Sequence, residues 1–151
     1  MTTHFLEDLQ PGQRFRTARR TVELAEIQAF ARDFDPQPFH LDPEAAKATI
    51  FGELVASGWH TMALTMRLIV DGEARLGWGF AGAGVEALDW PNPVRPGDTL
   101  TAESEVLEVK PSRSKPDRGL ARIRTTTYNQ RNEPVLVATA KIIVPKRNPG
   151  A

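Results

Sequence analysis

The chain has 151 residues, enough for one domain with a substantial core, and its 19 Lys and Arg are balanced by 19 Asp and Glu. That balance gives no global field for nucleic acid or an anionic membrane surface, and the absence of Cys excludes disulfides, thiolate metal sites and a thiol nucleophile. The longest apolar stretch, Trp59 to Val70, is broken by Thr61, Thr65 and Arg67, far short of the ~20 apolar residues a membrane span needs.

The N-terminal residues show no basic segment followed by an apolar one, so no export signal is expected, and a reducing cytoplasmic compartment is. No repeat, low-complexity tract or linker divides the chain. A single domain over residues 1–151 is expected, with loose ends at 1–4 and 147–151.

Arg14–Val22 reads as an early strand. Ile27, Phe30, Ala31 and Phe34 then fall at i, i+3, i+4 and i+7, one face of a short helix over Ile27–Phe34. Its start is poorly marked, because Thr21 has no Glu or Gln three residues on. Its end is clear, since Pro36 and Pro38 cannot continue a helix. Asp42-Pro43 reads as N-cap and N1 of another short helix. A longer helix is expected from about Gly58 to Leu76, apolar on nearly every face and therefore buried. Segments near Ala81–Trp90, Thr99–Val109, Leu120–Asn129 and Val135–Val144 read as strands, separated by turn-rich joints. Leu136, Ala138, Ala140 and Ile142 alternate with Val135, Val137, Thr139 and Lys141, which suits a half-buried antiparallel strand. The fold class is α+β: a curved antiparallel sheet wrapped around one long helix.

The richest segment for chemistry is Phe30-Ala-Arg-Asp-Phe-Asp35-Pro-Gln-Pro-Phe-His40. Two prolines stiffen the loop between Asp35 and His40, lowering the entropy lost in holding both side chains in one geometry. A carboxylate and an imidazole so held can grip one water, take a proton from it and return one to a neighbouring carbon, worth roughly 10²–10⁴-fold in rate. The spacing alone favours an ordinary alternative, in which Asp35 caps a turn and His40 is a satisfied, partly buried histidine.

The same segment resembles the hydratase motif of the MaoC-like and (R)-specific enoyl-CoA hydratase family, a hotdog-fold group. Phe30, Asp35, Pro38, His40 and Ala46 match it, while Phe34, Gln37 and Phe39 depart from its Gly, Asn and aliphatic positions. Phe51-Gly-Glu-Leu-Val-Ala-Ser-Gly-Trp-His60 resembles the family's entry into the central helix, and Pro93-Val-Arg-Pro-Gly-Asp-Thr-Leu100 its Arg-Pro-Gly-Asp turn. The resemblance implies a hotdog fold and a hydro-lyase acting on a 2-enoyl or 3-hydroxyacyl thioester of coenzyme A or acyl carrier protein. Asp35 and His40 are its implied acid–base pair, and the Gly58 N–H its implied thioester-carbonyl donor. The competing reading is that Gly58 only permits close packing. Ser57 and Trp59, which flank Gly58, are substrate-binding candidates. So are Phe34, Phe39 and Met66 for the acyl cavity, and Arg95 for coenzyme A phosphate.

His60 more often packs than reacts at such a position. Ala56-Ser57-Gly58 lacks the nucleophile-elbow pattern. Three isolated histidines make no metal set, and no phosphate loop or dinucleotide fingerprint is present. No cofactor is expected beyond coenzyme A as part of the substrate. The resemblance further implies a homodimer or a pair of dimers. The rival readings are a hotdog thioesterase, told apart by release of free thiol, and a non-enzymatic acyl-thioester-binding subunit.

Overall fold

The computed structural model of the chain describes residues 2–149. In chain order the elements are β1 (Thr2–His4), a 3-10 turn (Leu6–Asp8), β2 (Arg14–Arg16), β3 (Arg20–Thr21), α1 (Leu24–Phe34), α2 (Pro38–Leu41), α3 (Pro43–Ala46), α4 (Gly58–Val70), β4 (Ala74–Leu76), β5 (Ala81–Asp89), β6 (Thr99–Pro111), β7 (Arg118–Tyr128) and β8 (Pro134–Pro145). The main sheet runs β2-β6-β7-β8-β5, with β3 also paired to β6, and all of its pairings are antiparallel.

The early strand is two short pieces, broken at residues 17–19, rather than one run over Arg14–Val22. Here Thr17 turns its hydroxyl to the Ala102 N–H at 2.9 Å, a side-chain substitute for a ladder bond. α1 begins three residues earlier than its periodicity suggests. The Glu26 carboxylate reaches back to the Glu23 N–H at 2.9 Å, satisfying a donor that a helix start leaves free. α3 follows its expected start: the Asp42 carboxylate accepts from the Glu44 N–H at 2.9 Å, with Pro43 as its first residue.

α4 is shorter than expected. It stops at Val70, and Asp71-Gly72 turns the chain into β4, which pairs in parallel with β1. Residues 2–4 pair with residues 74–76, and Arg147 is bonded to Glu7 and Asp8. Residues 1, 150 and 151 lie outside the described residues.

Burial of α4 is also one-sided. His60, Thr61, Leu64, Thr65 and Leu68 are buried, and the Thr65 hydroxyl meets that of Thr127 on β7 at 2.6 Å. Trp59, Met66 and Val70 keep 59%, 37% and 47% of their surface exposed. The sheet curls around only part of the rod. Leu64 and Leu68 join Val22, Ile27, Leu100 and Val135 in one core cluster, which packs α1 and α4 against the sheet. A second cluster, including Leu6, Leu76 and Val144, seals the far end.

Candidate active site

α1 ends because Pro36 cannot extend it, leaving Asp35 as its C-cap with φ −152° and ψ 65°. The Gln37 N–H then bonds the Asp35 carbonyl at 2.8 Å, and the His40 N–H bonds the Gln37 carbonyl at 3.0 Å. Pro38 starts α2, its fixed φ suited to that position. This tight, doubly bonded path brings Asp35 Oδ2 within 3.2 Å of His40 Nε2, with side-chain exposures of 18% and 6%.

The opposite ring nitrogen, His40 Nδ1, lies 2.7 Å from the Val55 carbonyl oxygen. A carbonyl only accepts, so Nδ1 carries a hydrogen and Nε2 is the nitrogen that faces the Asp35 carboxylate. Val55 is itself clamped, because its N–H bonds the Phe39 carbonyl at 2.9 Å. Partial burial acts to raise the Asp35 carboxyl. Hydrogen bonds from Gln37 and Ser57, together with the charge and hydrogen bond of His40, outweigh it and hold the group below its ordinary value. The Gln37 Nε2–H···Oδ1 contact is 2.5 Å. Gln37, a departure from the family motif, thus supplies an amide donor to the carboxylate.

Asp35 and His40 open onto a cleft of about 550 Å³ that also touches Phe39, Gly58, Trp59 and Trp90. Gly58 is the first residue of α4, so its N–H has no acceptor within the helix and sits at the positive end of the dipole. Ser57, fully buried, caps that helix by accepting from the Trp59 N–H at 3.3 Å. It therefore joins the helix start to the Asp35 carboxylate. A Cβ at Gly58 would collide with the Trp90 indole, so close packing also requires glycine here.

Four sequence candidates do not line this cleft, the first of them Ser57, which is fully buried. Phe34 is 73% exposed at the end of α1, against Phe30. Arg95 pairs with Glu53 and does not line the cleft. Met66 lines a separate, narrow apolar cavity of about 80 Å³ between α4 and the sheet, shared with Met62, Ile69, Phe80 and Ala138. Lys110, near the end of β6, pairs with Glu108, and Arg118, at the start of β7, pairs with Asp117.

One feature escaped the sequence reading. Trp90, read as a strand end, lines the cleft and donates its indole N–H to the Gly58 carbonyl at 3.0 Å. An aromatic residue directly before a Pro-Asn-Pro joint was the available signal. His60 is buried and stacks face to face on Phe30, with ring centroids 4.7 Å apart and planes 8° from parallel. The stack joins α1, which carries Asp35, to the first turn of α4.

The MaoC like domain matches residues 8–129. The crystal structure of the MaoC-like dehydratase from Rhodospirillum rubrum superimposes with a TM-score of 0.92 at 55% identity, covering 96% of this chain and 99% of that one. An (R)-specific enoyl-CoA hydratase from R. rubrum is 30% identical over 149 residues, 95% of this chain and 94% of the relative. The uncharacterized protein YdeM of Bacillus subtilis is 31% identical over 140 residues, 92% of this chain and 97% of its own length. With its antiparallel sheet folded around α4 in the hotdog manner, the chain belongs to the MaoC-like domain family.

Proposed function

We propose that this protein is a hydro-lyase that reversibly hydrates a 2-enoyl-CoA to the 3-hydroxyacyl-CoA. The observation that carries the reading is the Asp35–His40 pair, 3.2 Å apart on the wall of a cleft that also touches the first residue of α4. Its relatives include proteins named (R)-specific enoyl-CoA hydratase and 3-hydroxybutyryl-CoA dehydratase.

In this reading a water sits against the pair, and its oxygen attacks the β-carbon as Asp35 and His40 together take one of its protons. The alkene electrons move to the α-carbon and into the thioester carbonyl, whose growing negative charge is met by the Gly58 N–H. A fixed donor at that oxygen favours the transition state over the ground state. The pair then returns one proton to the α-carbon, closing the balance, so the chemistry calls for no group beyond the coenzyme A of the substrate.

The acyl tail has a natural course along α4. Gly58, Met62, Met66 and Ile69 follow one another at i, i+4, i+8 and i+11, a single stripe of the helix, and the last three line the narrow apolar cavity. Phe39 and Trp59 line the cleft at the Gly58 end of that stripe.

A second copy of the chain completes the molecule. β5 pairs only with β8, leaving its other edge free among the described strands, and Val85 on it is 58% exposed. A free edge of this kind is an association site. The exposed side of α4, with Trp59 and Val70, is a further apolar surface that a partner would cover. Among the described residues no helix is long and apolar enough to cross a membrane.

The test is loss of conjugated enoyl absorbance across short, medium, branched and aromatic enoyl-CoAs, with a thiol assay alongside. The expected result is hydration without thiol release, abolished in Asp35→Asn and His40→Ala. Release of free thiol would instead mark a thioesterase, and binding without turnover in the parent a carrier subunit.

A further inference from the structure

We infer that Trp90 is a positioning residue for the hydration proposed above, its indole fixing the direction in which Gly58 presents its N–H to the thioester oxygen. The inference rests on that reading of Gly58 and adds what holds the donor still. Glycine has the freest backbone of any residue, yet an oxyanion donor is useful only when its direction is set in advance. The first residue of a helix also lacks half the hydrogen bonds that hold the helix interior.

Trp90 supplies the missing restraint from two sides. Its Nε1–H donates to the Gly58 carbonyl at 3.0 Å. Its ring atoms Cε2, Cδ2 and Cζ2 occupy the space a side chain at Gly58 would need, so the indole bears directly on that Cα. The residue is pinned at the carbonyl and at the α-carbon, and the N–H that leads into the cleft is what remains.

Trp90 is in turn firmly held. It meets Trp59 edge to face, with centroids 5.2 Å apart and planes at 82°. The segment that follows is anchored by Asn92 Nδ2, which donates to the Pro134 carbonyl at 2.9 Å. Two residues further on, the Val94 carbonyl accepts from the Ala56 N–H at 2.8 Å, tying this segment to the approach to Gly58. The strand end and the helix start are thus joined twice, once through backbone and once through the indole.

A positioning role and a simple wall of the cleft predict different kinetics. Removing an oxyanion donor outright costs about 10²–10³ in kcat, and misdirecting one costs part of that. Trp90→Ala is expected to lower kcat about tenfold or more while KM moves less than about threefold. Trp90→Phe, which keeps a ring on the α-carbon but loses the N–H, is expected to recover part of the loss. Gly58→Ala is expected to cost far less in the Trp90→Ala background than in the parent, because the colliding ring is gone. Melting curves establish that each variant is folded, and if Trp90→Ala is not, the kcat-against-KM split of Trp90→Phe decides. A raised KM with unchanged kcat, or strictly additive effects at 58 and 90, overturns the positioning role alone. A parent that hydrates none of the enoyl-CoAs overturns the proposed function and this role together.

Discussion

His40 turns one ring nitrogen to the Asp35 carboxylate at 3.2 Å and the other to the Val55 carbonyl at 2.7 Å, so that a backbone oxygen assigns the imidazole its tautomer. The two residues differ in what else depends on them. Asp35 lies at the cleft wall, whereas His40 is buried and satisfies a carbonyl. Asp35→Asn is expected to lower hydration about 10²–10⁴-fold with little change in melting temperature. His40→Ala is expected to lose as much activity and also about 1–3 kcal/mol of stability, from the orphaned Val55 carbonyl. Turnover and thermal melts on the two variants check this, and equal stability losses would contradict it.

The Gln37 amide is the nearer control on acidity. Burial raises the Asp35 carboxyl, but Gln37, Ser57 and His40 bring it below its ordinary value, so it stays ionised through the mildly acidic range. Gln37→Ala removes one stabiliser of the charged form and moves the folded value upward. The sign follows: protonation of Asp35 then begins at higher pH, and the acidic limb of kcat/KM shifts to higher pH. A pH–rate profile reads this directly, and a limb that stays in place would remove Gln37 from the account.

His60 gives a stability effect of the same sign for a different reason. Burial lowers its pKa first of all, and of the charged groups facing the ring, Glu26 on α1 opposes the shift while Arg20 on β3 adds to it. The folded protein thus resists a proton that the unfolded chain accepts near pH 6.5. That contribution is complete above the unfolded value and is lost as pH falls from there toward the lowered folded value. His60→Phe keeps the stack on Phe30 and removes the titration. The variant is expected to lose less melting temperature than the parent between pH 7 and pH 5, measured by scanning calorimetry.

The parts of this molecule that were legible in the sequence are those specified by short-range chemistry. The four long strands follow from alternation and their turn-rich joints, and the Asp35–His40 loop from its two prolines. α4 was overextended to Leu76 because its apolar content ran on past Asp71-Gly72, a turn signal that outweighs it. Leu76 is buried as part of β4, whose parallel partner lies more than 70 residues away. Phe34, Ser57, Met66 and Arg95 fell outside the cleft lining because side-chain direction depends on how their segments pack, which spacing does not encode. The Trp90–Gly58 and Phe30–His60 contacts are between residues 32 and 30 positions apart, and each depends on how separate elements pack together.

The free edge of β5 leads to a prediction about assembly. Val85 lies on that strand and is 58% exposed in the single chain. If a second copy pairs there, Val85→Arg sets like charges near a twofold axis and leaves them poorly solvated. Sedimentation is expected to show a dimer in the parent and a shift toward monomer in the variant. The melting temperature of the parent should rise with concentration, as linked association requires. An unchanged sedimentation profile would remove β5 from the interface.

Acyl-chain preference is set, in this account, by two methionines on one stripe of α4. Met62 and Met66 line the narrow cavity of about 80 Å³ between helix and sheet, whose walls are otherwise mostly apolar. An apolar pocket discriminates by roughly 1–3 kcal/mol per methylene, so opening it changes selectivity by large factors without touching the acid–base pair. Met66→Ala lengthens the space available beyond Met62, and Met66 is already 37% exposed, so the fold loses little by the change. The ratio of kcat/KM for medium over short enoyl-CoAs is expected to rise about tenfold or more, chiefly through KM. Equal effects on all chain lengths would show that the tail leaves the cleft by another path, past Trp59 and Phe51 instead of along the helix.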